Sequence, residues 1–398
     1  MKEKYEPLFQ TLTLPNGVEL DNRFVVSPVI TQSSTREGYV TDADCAYAER
    51  RAHSAAMMIT GAAYVEPYGQ LFKYGFSVTD DRHIPGLSRL ARAMKSQGNK
   101  AILQLTHAGR FAEIALQDYS AVYGPSRMEL NTPVKHTVYP MSKRKIRQVV
   151  RQYGDAARRA IKAGFDGVEI SAAQRLLIQT FFSKFSNQRE DEYGPQTLEN
   201  RMRLGLEIFE EVQKVIDEEK AGPGFILGFR GTPEEARGNQ IGYTIEEFNH
   251  FVDEIMKVAD IDYYATASWG KNIYAQKIRA GKYQGEYMNK IVHNHFENRL
   301  PIMATGGINS PEKALEAMQF SDFVGASTPF VTEPEFVVKI AEGRENEIDM
   351  AISEEKISDL KIPDRAFADI VYMMDLGGSL SEETRNRIRQ LDQESNQN

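Results

Sequence analysis

Short apolar runs alternate with longer amphipathic stretches along this chain, and the same layout recurs eight times. The run Gly167–Ile170 is too short for a helix and has the form of a strand buried on both faces. Comparable candidate strands are Phe24–Val29, Met58–Tyr64, Ala101–Leu105, Phe225–Phe229, Tyr263–Ala267, Ile302–Thr305 and Phe323–Ala326. The intervening stretches carry helical periodicity. Leu87, Leu90, Ala91 and Met94 share one face, as do Ile146, Val149, Val150 and Tyr153, and also Leu204, Ile208, Val212, Val215 and Ile216. Thr244 with Glu247 forms a capping box ahead of Phe248, Phe251, Val252 and Ile255, and Ser310-Pro311 places a cap and a first-turn proline at another helix start.

Eight β/α units in succession, with no second domain, predict an α/β fold: a closed (β/α)8 TIM barrel spanning residues 1–343. A doubly wound sheet is the alternative, although it rarely needs eight successive parallel crossovers. Residues 8–20 alternate apolar and polar around Pro15-Asn16-Gly17, which predicts an N-terminal β-hairpin serving as a lid or plug. Residues 344–398 form a C-terminal extension with a helix expected at Pro363–Leu376. Its Gln/Asn/Glu-rich end is expected to fray from about Ser381.

Composition narrows the class. The sum of 48 basic and 56 acidic residues is −8, with no basic block, which argues against a nucleic-acid or membrane-surface partner. One cysteine, Cys45, rules out an internal disulfide and any cysteine-ligated zinc or iron–sulfur centre. No stretch reaches the roughly 18 apolar residues of a membrane span, and Met1-Lys2-Glu3-Lys4 is not followed by the apolar core of a signal peptide. The expectation is a cytoplasmic protein acting on a small molecule, with homo-oligomer formation left open.

The chemistry is sought at strand C-termini, where parallel α/β architectures carry their ligands. No Gly-x-Gly-x-x-Gly follows a strand and no P-loop is present. The seven histidines show no metal-binding spacing, so no metal is expected. After Gly167–Ile170 comes a long excursion bearing Ser171, Gln174, Arg175 and the string Asn187 to Gly194. The loops Ala304-Thr305-Gly306-Gly307-Ile308 and Gly325-Ala326-Ser327-Thr328 suit either a phosphate cradle or plain tight turns. Gln104 and Arg230 lie in or just after apolar strands, and each needs a partner. Together at strand ends they favour a planar heterocycle with donors and acceptors along its edge.

Four motifs then carry a resemblance: Asn22-Arg23-Phe24-Val25-Val26-Ser27-Pro28, Gln104-Leu105-Thr106-His107-Ala108-Gly109-Arg110, Ser186-Asn187-Gln188-Arg189-Glu190-Asp191-Glu192-Tyr193-Gly194 and Glu199-Asn200-Arg201. From about Tyr5 to about Glu342 the chain resembles the old yellow enzyme family of FMN-dependent ene reductases and NADH-dependent flavin oxidoreductases. The resemblance implies FMN as cofactor, NADH or NADPH as reductant, and a small organic acceptor such as an enone or quinone. It implies that backbone around Pro28, Val29, Ile30 and Ala62 lines the flavin and that Gln104 meets its pyrimidine edge. Arg230 would lie by N1 and O2, and Gly306, Gly307, Ser327 and Thr328 would hold the phosphate. Asn187, Arg189, Asp191 and Tyr193 resemble the family's loop-stabilising scaffold.

The departures are equally specific. Ile30 stands where the family usually has a threonine or cysteine near the flavin. Ser171, Gln174 and Leu176 occupy the positions of the family's carbonyl-gripping pair and its proton-donating tyrosine, and Arg175 is an addition that could meet an anionic group. Ser171 and Gln174 can still donate hydrogen bonds, but Leu176 cannot donate a proton, so no catalytic residue is assigned. Ser327-Thr328 replaces a Gly-Arg phosphate clamp, which predicts weaker retention of FMN. Two readings follow: a flavin oxidoreductase whose acceptor need not be an activated alkene, or a barrel retained as a ligand-binding or interaction module.

Overall fold

The computed structural model describes every residue except 132–133, 371, 373, 374, 376, 377, 379 and 396–398. Eight parallel strands close on themselves: β1 (Phe24–Val26), β2 (Met57–Ile59), β3 (Lys100–Thr106), β4 (Gly167–Ala172), β5 (Ile226–Gly231), β6 (Tyr263–Thr266), β7 (Ile302–Thr305) and β8 (Phe323–Ala326). Each pairs with the next, and β8 returns to β1 through Val324↔Phe24 to Ala326↔Val26. One helix of the outer ring follows each strand: α1 (Asp42–Glu49), α2 (Ile84–Lys95), α3 (Lys143–Ala163), α4 (Leu198–Glu218), α5 (Ile245–Val258), α6 (Met288–Phe296), α7 (Pro311–Ala317) and α8 (Phe336–Ala341). The predicted barrel is borne out. The Thr244/Glu247 capping box and the Ser310-Pro311 start are both present.

The barrel's lower interior is apolar: Val25, Met57, Ile59, Ile102, Ile226, Tyr263, Met303 and Phe323 meet Leu14 and Leu20 from the N-terminal hairpin. That hairpin, Leu12–Thr13 against Glu19–Leu20, therefore acts as a plug at the N-terminal mouth. Asn16 at its turn fastens it, donating from its backbone N–H (3.1 Å) and Nδ2 (3.3 Å) to the Asp262 carboxylate.

Strand limits differ from expectation for local reasons. The first strand stops at Val26, two residues ahead of Pro28, which has no N–H to continue a ladder. The second splits: the chain leaves the barrel after Ile59 and pairs with β3 again at Ala63–Tyr64. Strands β4 and β5 run further than expected because their pairing continues through Ser171↔Arg230 and Ala172↔Gly231, placing Arg230 inside its strand.

The C-terminal extension corrects one expectation. Glu382–Ser395 forms a helix rather than a frayed end, because Thr384, Ile388 and Leu391, at i, i+4 and i+7, are buried along one face. The helix expected over 363–376 appears as Ala366–Asp369, and 371, 373, 374 and 376 lie outside the described residues. Arg51 secures the extension to the barrel. Fully buried, it donates to Phe330 O, Tyr47 O, Val331 O and Leu360 O, each at 2.9 Å.

Candidate active site

Parallel register puts Gln104 of β3 opposite Glu169 of β4, so both side chains lie on the same side of the sheet. Gln104 Nε2 donates to Glu169 Oε1 at 2.7 Å. Arg230, on the next strand, donates from Nε to the same oxygen at 2.7 Å and from Nη2 to Oε2 at 3.2 Å. Tyr263 OH completes the set, donating to Oε2 at 2.9 Å. A carboxylate with no exposure is stable only when paired and fully hydrogen-bonded, and Glu169 is both. Burial first, and then the Glu169 charge, push the Tyr263 phenol well above its ordinary range, so it remains a donor.

Glu169 is the partner that Gln104 and Arg230 each required, and the sequence reading missed it. Its signal was an acidic residue inside the doubly buried run Gly-Val-Glu-Ile, which a fold tolerates only beside a cation. Among the described residues no hydrogen bond uses Gln104 Oε1 or Arg230 Nη1. An acceptor and a donor thus remain for the edge of a bound heterocycle.

The rim is built close around this centre. A Cβ on Gly61 would meet Val29 O at 2.5 Å and Ile30 Cδ1 at 3.3 Å, so the segment Pro28-Val29-Ile30 packs directly on the loop bearing Ala62. Gly306 and Gly307 have φ of 82° and 87°, the left-handed region that favours glycine. The loop after β6 lies on them: a Cβ would meet Ile273 Cδ1 at 2.6 Å and Asn272 Cα at 2.7 Å. Lys313 ties the two loops together, with Nζ at 2.9 Å from Asn309 Oδ1, 3.3 Å from Gly307 O and 3.4 Å from Asn272 Oδ1. Ser327 stands at the start of the short helix Thr328–Thr332, and Thr328 is buried. The residues present therefore fit a flavin: a heterocycle edge at Gln104 and Arg230, and a glycine cradle beside a cation for a phosphate.

The excursion after β4 divides the remaining candidates. Ser171 is buried beside Arg230, whereas Gln174 and Arg175 are exposed and both take left-handed φ, 57° and 62°. Their backbones are clamped: Gln174 N–H donates to Thr232 Oγ1 (3.2 Å) and Arg175 N–H to Gln179 Oε1 (2.5 Å). Gln179 in turn donates to Tyr243 OH, which donates to Thr232 O, both at 2.8 Å. Leu176 does not join them. It packs half-buried against the cluster of Ala108, Ala112, Val122 and Val138.

The scaffold reading of the downstream string is consistent with its contacts. Asn187 Nδ2 donates to Phe181 O and Tyr193 O, both at 2.7 Å, while Arg189 spans Met141 O at 2.7 Å and Pro125 O at 3.0 Å. His107 is no free acid either. Gly109 N–H donates to its Nδ1 at 2.9 Å, so the ring proton sits on Nε2 and goes to Glu66 Oε1 at 2.8 Å. Burial pushes the Glu66 carboxyl up, but His107 and Lys145 outweigh it and hold the group below its usual range. Among the described residues no three His, Cys, Asp or Glu side chains are grouped so as to hold a metal, and no helix is long and apolar enough to cross a membrane.

The profile of the NADH:flavin oxidoreductase / NADH oxidase family matches residues 7–347. The chain is 56% identical over 392 residues to an uncharacterized oxidoreductase of Streptococcus pyogenes, covering 98% of each. It is 34% identical over 353 residues to a probable NADH-dependent flavin oxidoreductase of Bacillus subtilis, covering 88% of this chain and 92% of the other. Morphinone reductase in complex with tetrahydroNAD superimposes with a TM-score of 0.73 at 22% identity, over 90% of this chain and 96% of that one, a likeness of fold.

Proposed function

The chain belongs to the NADH:flavin oxidoreductase / NADH oxidase family, and from that premise we propose that it is an FMN-dependent oxidoreductase passing electrons from NADH or NADPH to a small organic acceptor. When bound, FMN supplies two-electron chemistry, hydride in from the nicotinamide and electrons out to the acceptor. The observation that carries the reading is the buried Gln104–Glu169–Arg230 network, with one acceptor and one donor unused.

Gln104 orients the ring through its amide. Arg230 sits where negative charge collects, but Glu169 neutralises it, so the ring meets a dipolar pair rather than a bare cation. Backbone at Pro28, Val29, Ile30 and Ala62 lines the ring. Gly306, Gly307, Ser327 and Thr328 receive the phosphate, and Lys313 supplies the positive charge that Thr328 lacks. Ser171 and Gln174 donate hydrogen bonds to the acceptor. With Leu176 turned into an apolar cluster, no acid stands at that position, so acceptors that take their protons from water, such as quinones, suit the site best. A cytoplasmic location and self-association belong to the same reading.

The test is reconstitution with FMN followed by anaerobic titration with NADH and NADPH. The yellow protein should bleach on reduction and recover its colour with a quinone. Protein that holds no flavin, or whose reduced form no quinone reoxidises, would favour the ligand-binding module instead.

A further inference from the structure

Beside the β4 loop the structure gathers positive charge that the reading above leaves unused. Arg110 ends the segment His107-Ala108-Gly109-Arg110 that follows β3, Arg175 stands in the β4 loop, and Arg237 belongs to the hairpin Glu235–Arg237/Gln240–Tyr243 that follows β5. Glu235 is the carboxylate they share. It lies 3.0 Å from Arg237 Nη2 and 3.9 Å from Arg175 Nε, and it acts on Arg110 through space. Its neighbour Glu234 offers no further compensation, being taken by Arg279 through Nε at 3.2 Å and the backbone N–H at 3.0 Å. Two guanidinium groups thus lie on one carboxylate, and a third feels its charge.

Arg110 is the informative member. It is 6% exposed and forms no ion pair among the described residues, and its Nε is buried without an acceptor. Among the described residues its one side-chain hydrogen bond runs from Nη1 to Met128 Sδ at 3.8 Å, a weak acceptor, and the guanidinium lies 5.0 Å from the centre of the Phe111 ring. Burial holds its pKa down to about 10, and the like charges of Arg175 and Arg237 work in the same direction. An unpaired buried cation is costly unless an anion arrives to meet it. Arg175, for its part, holds a left-handed backbone that a non-glycine residue adopts at a cost, and it is clamped there by Gln179. Arg175 directly follows Gln174, where the acceptor is placed, and Arg110 feels its charge through space, so the two unfavourable features belong to one neighbourhood.

We propose that Arg110 and Arg175, with Arg237 behind them, form the subsite for an anionic group on the acceptor, so that the physiological acceptor carries a carboxylate. The inference rests on the flavin reading for the location of the acceptor. A phosphate on the reductant is the other source of such an anion, and the experiment separates the two.

FMN-loaded enzyme is assayed with a neutral naphthoquinone and with the same ring bearing a carboxylate. The wild type should favour the charged ring in kcat/KM, and added salt should erode the preference. Arg175→Gln and Arg110→Gln should each lower the charged-to-neutral ratio by about ten- to a hundredfold, the equivalent of one charged hydrogen bond. Arg175→Lys should retain most of it. As a reading independent of turnover, benzoate should perturb the flavin absorbance at lower concentration than benzamide, and Arg175→Gln should remove that difference. Should Arg110→Gln fail to fold, the Arg175 variants carry the test. Unchanged ratios would overturn the proposal, as would variants that shift KM for NADPH alone. If the neutral ring is not turned over either, the flavin reading itself has failed.

Discussion

Glu169 Oε1 lies 2.7 Å from Arg230 Nε, the two side chains reaching each other from neighbouring strands with 0% and 8% of their surface exposed. Gln104 and Tyr263 donate to the same carboxylate, so its removal leaves a buried guanidinium without a counter-charge. Glu169→Gln should cost about 3–5 kcal/mol in urea unfolding. The Glu169→Gln/Arg230→Met double variant should recover part of that loss. Strictly additive single effects would mean that the two groups are not coupled.

Among the described residues the oxygens that Lys313 Nζ meets are all neutral: Gly307 O and Asn309 Oδ1 after β7 and Asn272 Oδ1 after β6. Lys313→Met should weaken FMN binding by about ten- to a hundredfold while leaving riboflavin, which lacks the phosphate, little changed. The chain's one tryptophan, Trp269, follows β6 in the loop that lies on those glycines, so its quenching reports binding directly. Equal losses for both ligands would remove Lys313 from the phosphate site.

Without an acid at Leu176, turnover of neutral enones should trail that of neutral quinones by about 10²–10⁴-fold, the usual contribution of a general acid. Parallel steady-state assays with one reductant decide this. Comparable rates for the two acceptor types would point to a proton donor elsewhere in the site.

Arg51 joins the Tyr47, Phe330, Val331 and Leu360 carbonyls, the last of which lies within the C-terminal extension. Arg51→Met leaves these oxygens buried and unmet. It should destabilise the protein by about 2–4 kcal/mol and expose the segment beyond Leu360 to limited proteolysis. An unaltered cleavage pattern would show that the extension is held by its apolar contacts alone.

Asp369 ties the same extension to the loop after β1, accepting from Gln32 Nε2 at 2.6 Å. Burial pushes its carboxyl up from 3.8 to about 6, with the Gln32 bond opposing and the Asp392 charge assisting. Because the folded state holds this proton more tightly than the unfolded chain, the contribution is complete below about pH 4 and is lost as pH rises through about 6. It amounts to at most about 3 kcal/mol. Between pH 4 and 7 the wild type should therefore lose stability relative to Asp369→Asn, as compared by thermal melts. Parallel curves would mean that this carboxyl is not shifted.

Much of the fold was legible in local patterns. Strands β7 and β8 fall at the expected residues because apolar runs of that length, bounded by polar turns, can only be buried strands here. The Thr244/Glu247 box announced its helix because both halves of that interaction lie within one turn. The glycine pair at 306–307 and the amide and guanidinium at Gln104 and Arg230 were visible as residues out of keeping with their surroundings. What stayed hidden was each one's partner. Glu169 lies 65 residues from Gln104 and 61 from Arg230, and no periodicity links them. The helix Glu382–Ser395 was missed because composition outweighed three buried positions that matter only once the barrel is there to cover them.

The sequence by itself determined the alternation of strands and helices, and hence a closed barrel with its loops at the strand C-termini. It also determined which residue types reach that rim, since these depend on spacing along one chain. Tertiary structure alone decided how the charges are shared. It gave Glu169 to both Gln104 and Arg230, turned Leu176 into an apolar cluster, and left Arg110 with no carboxylate of its own. The physical reason is that the electrostatics of a buried site depend on distances between strands, and register, not sequence separation, sets those distances.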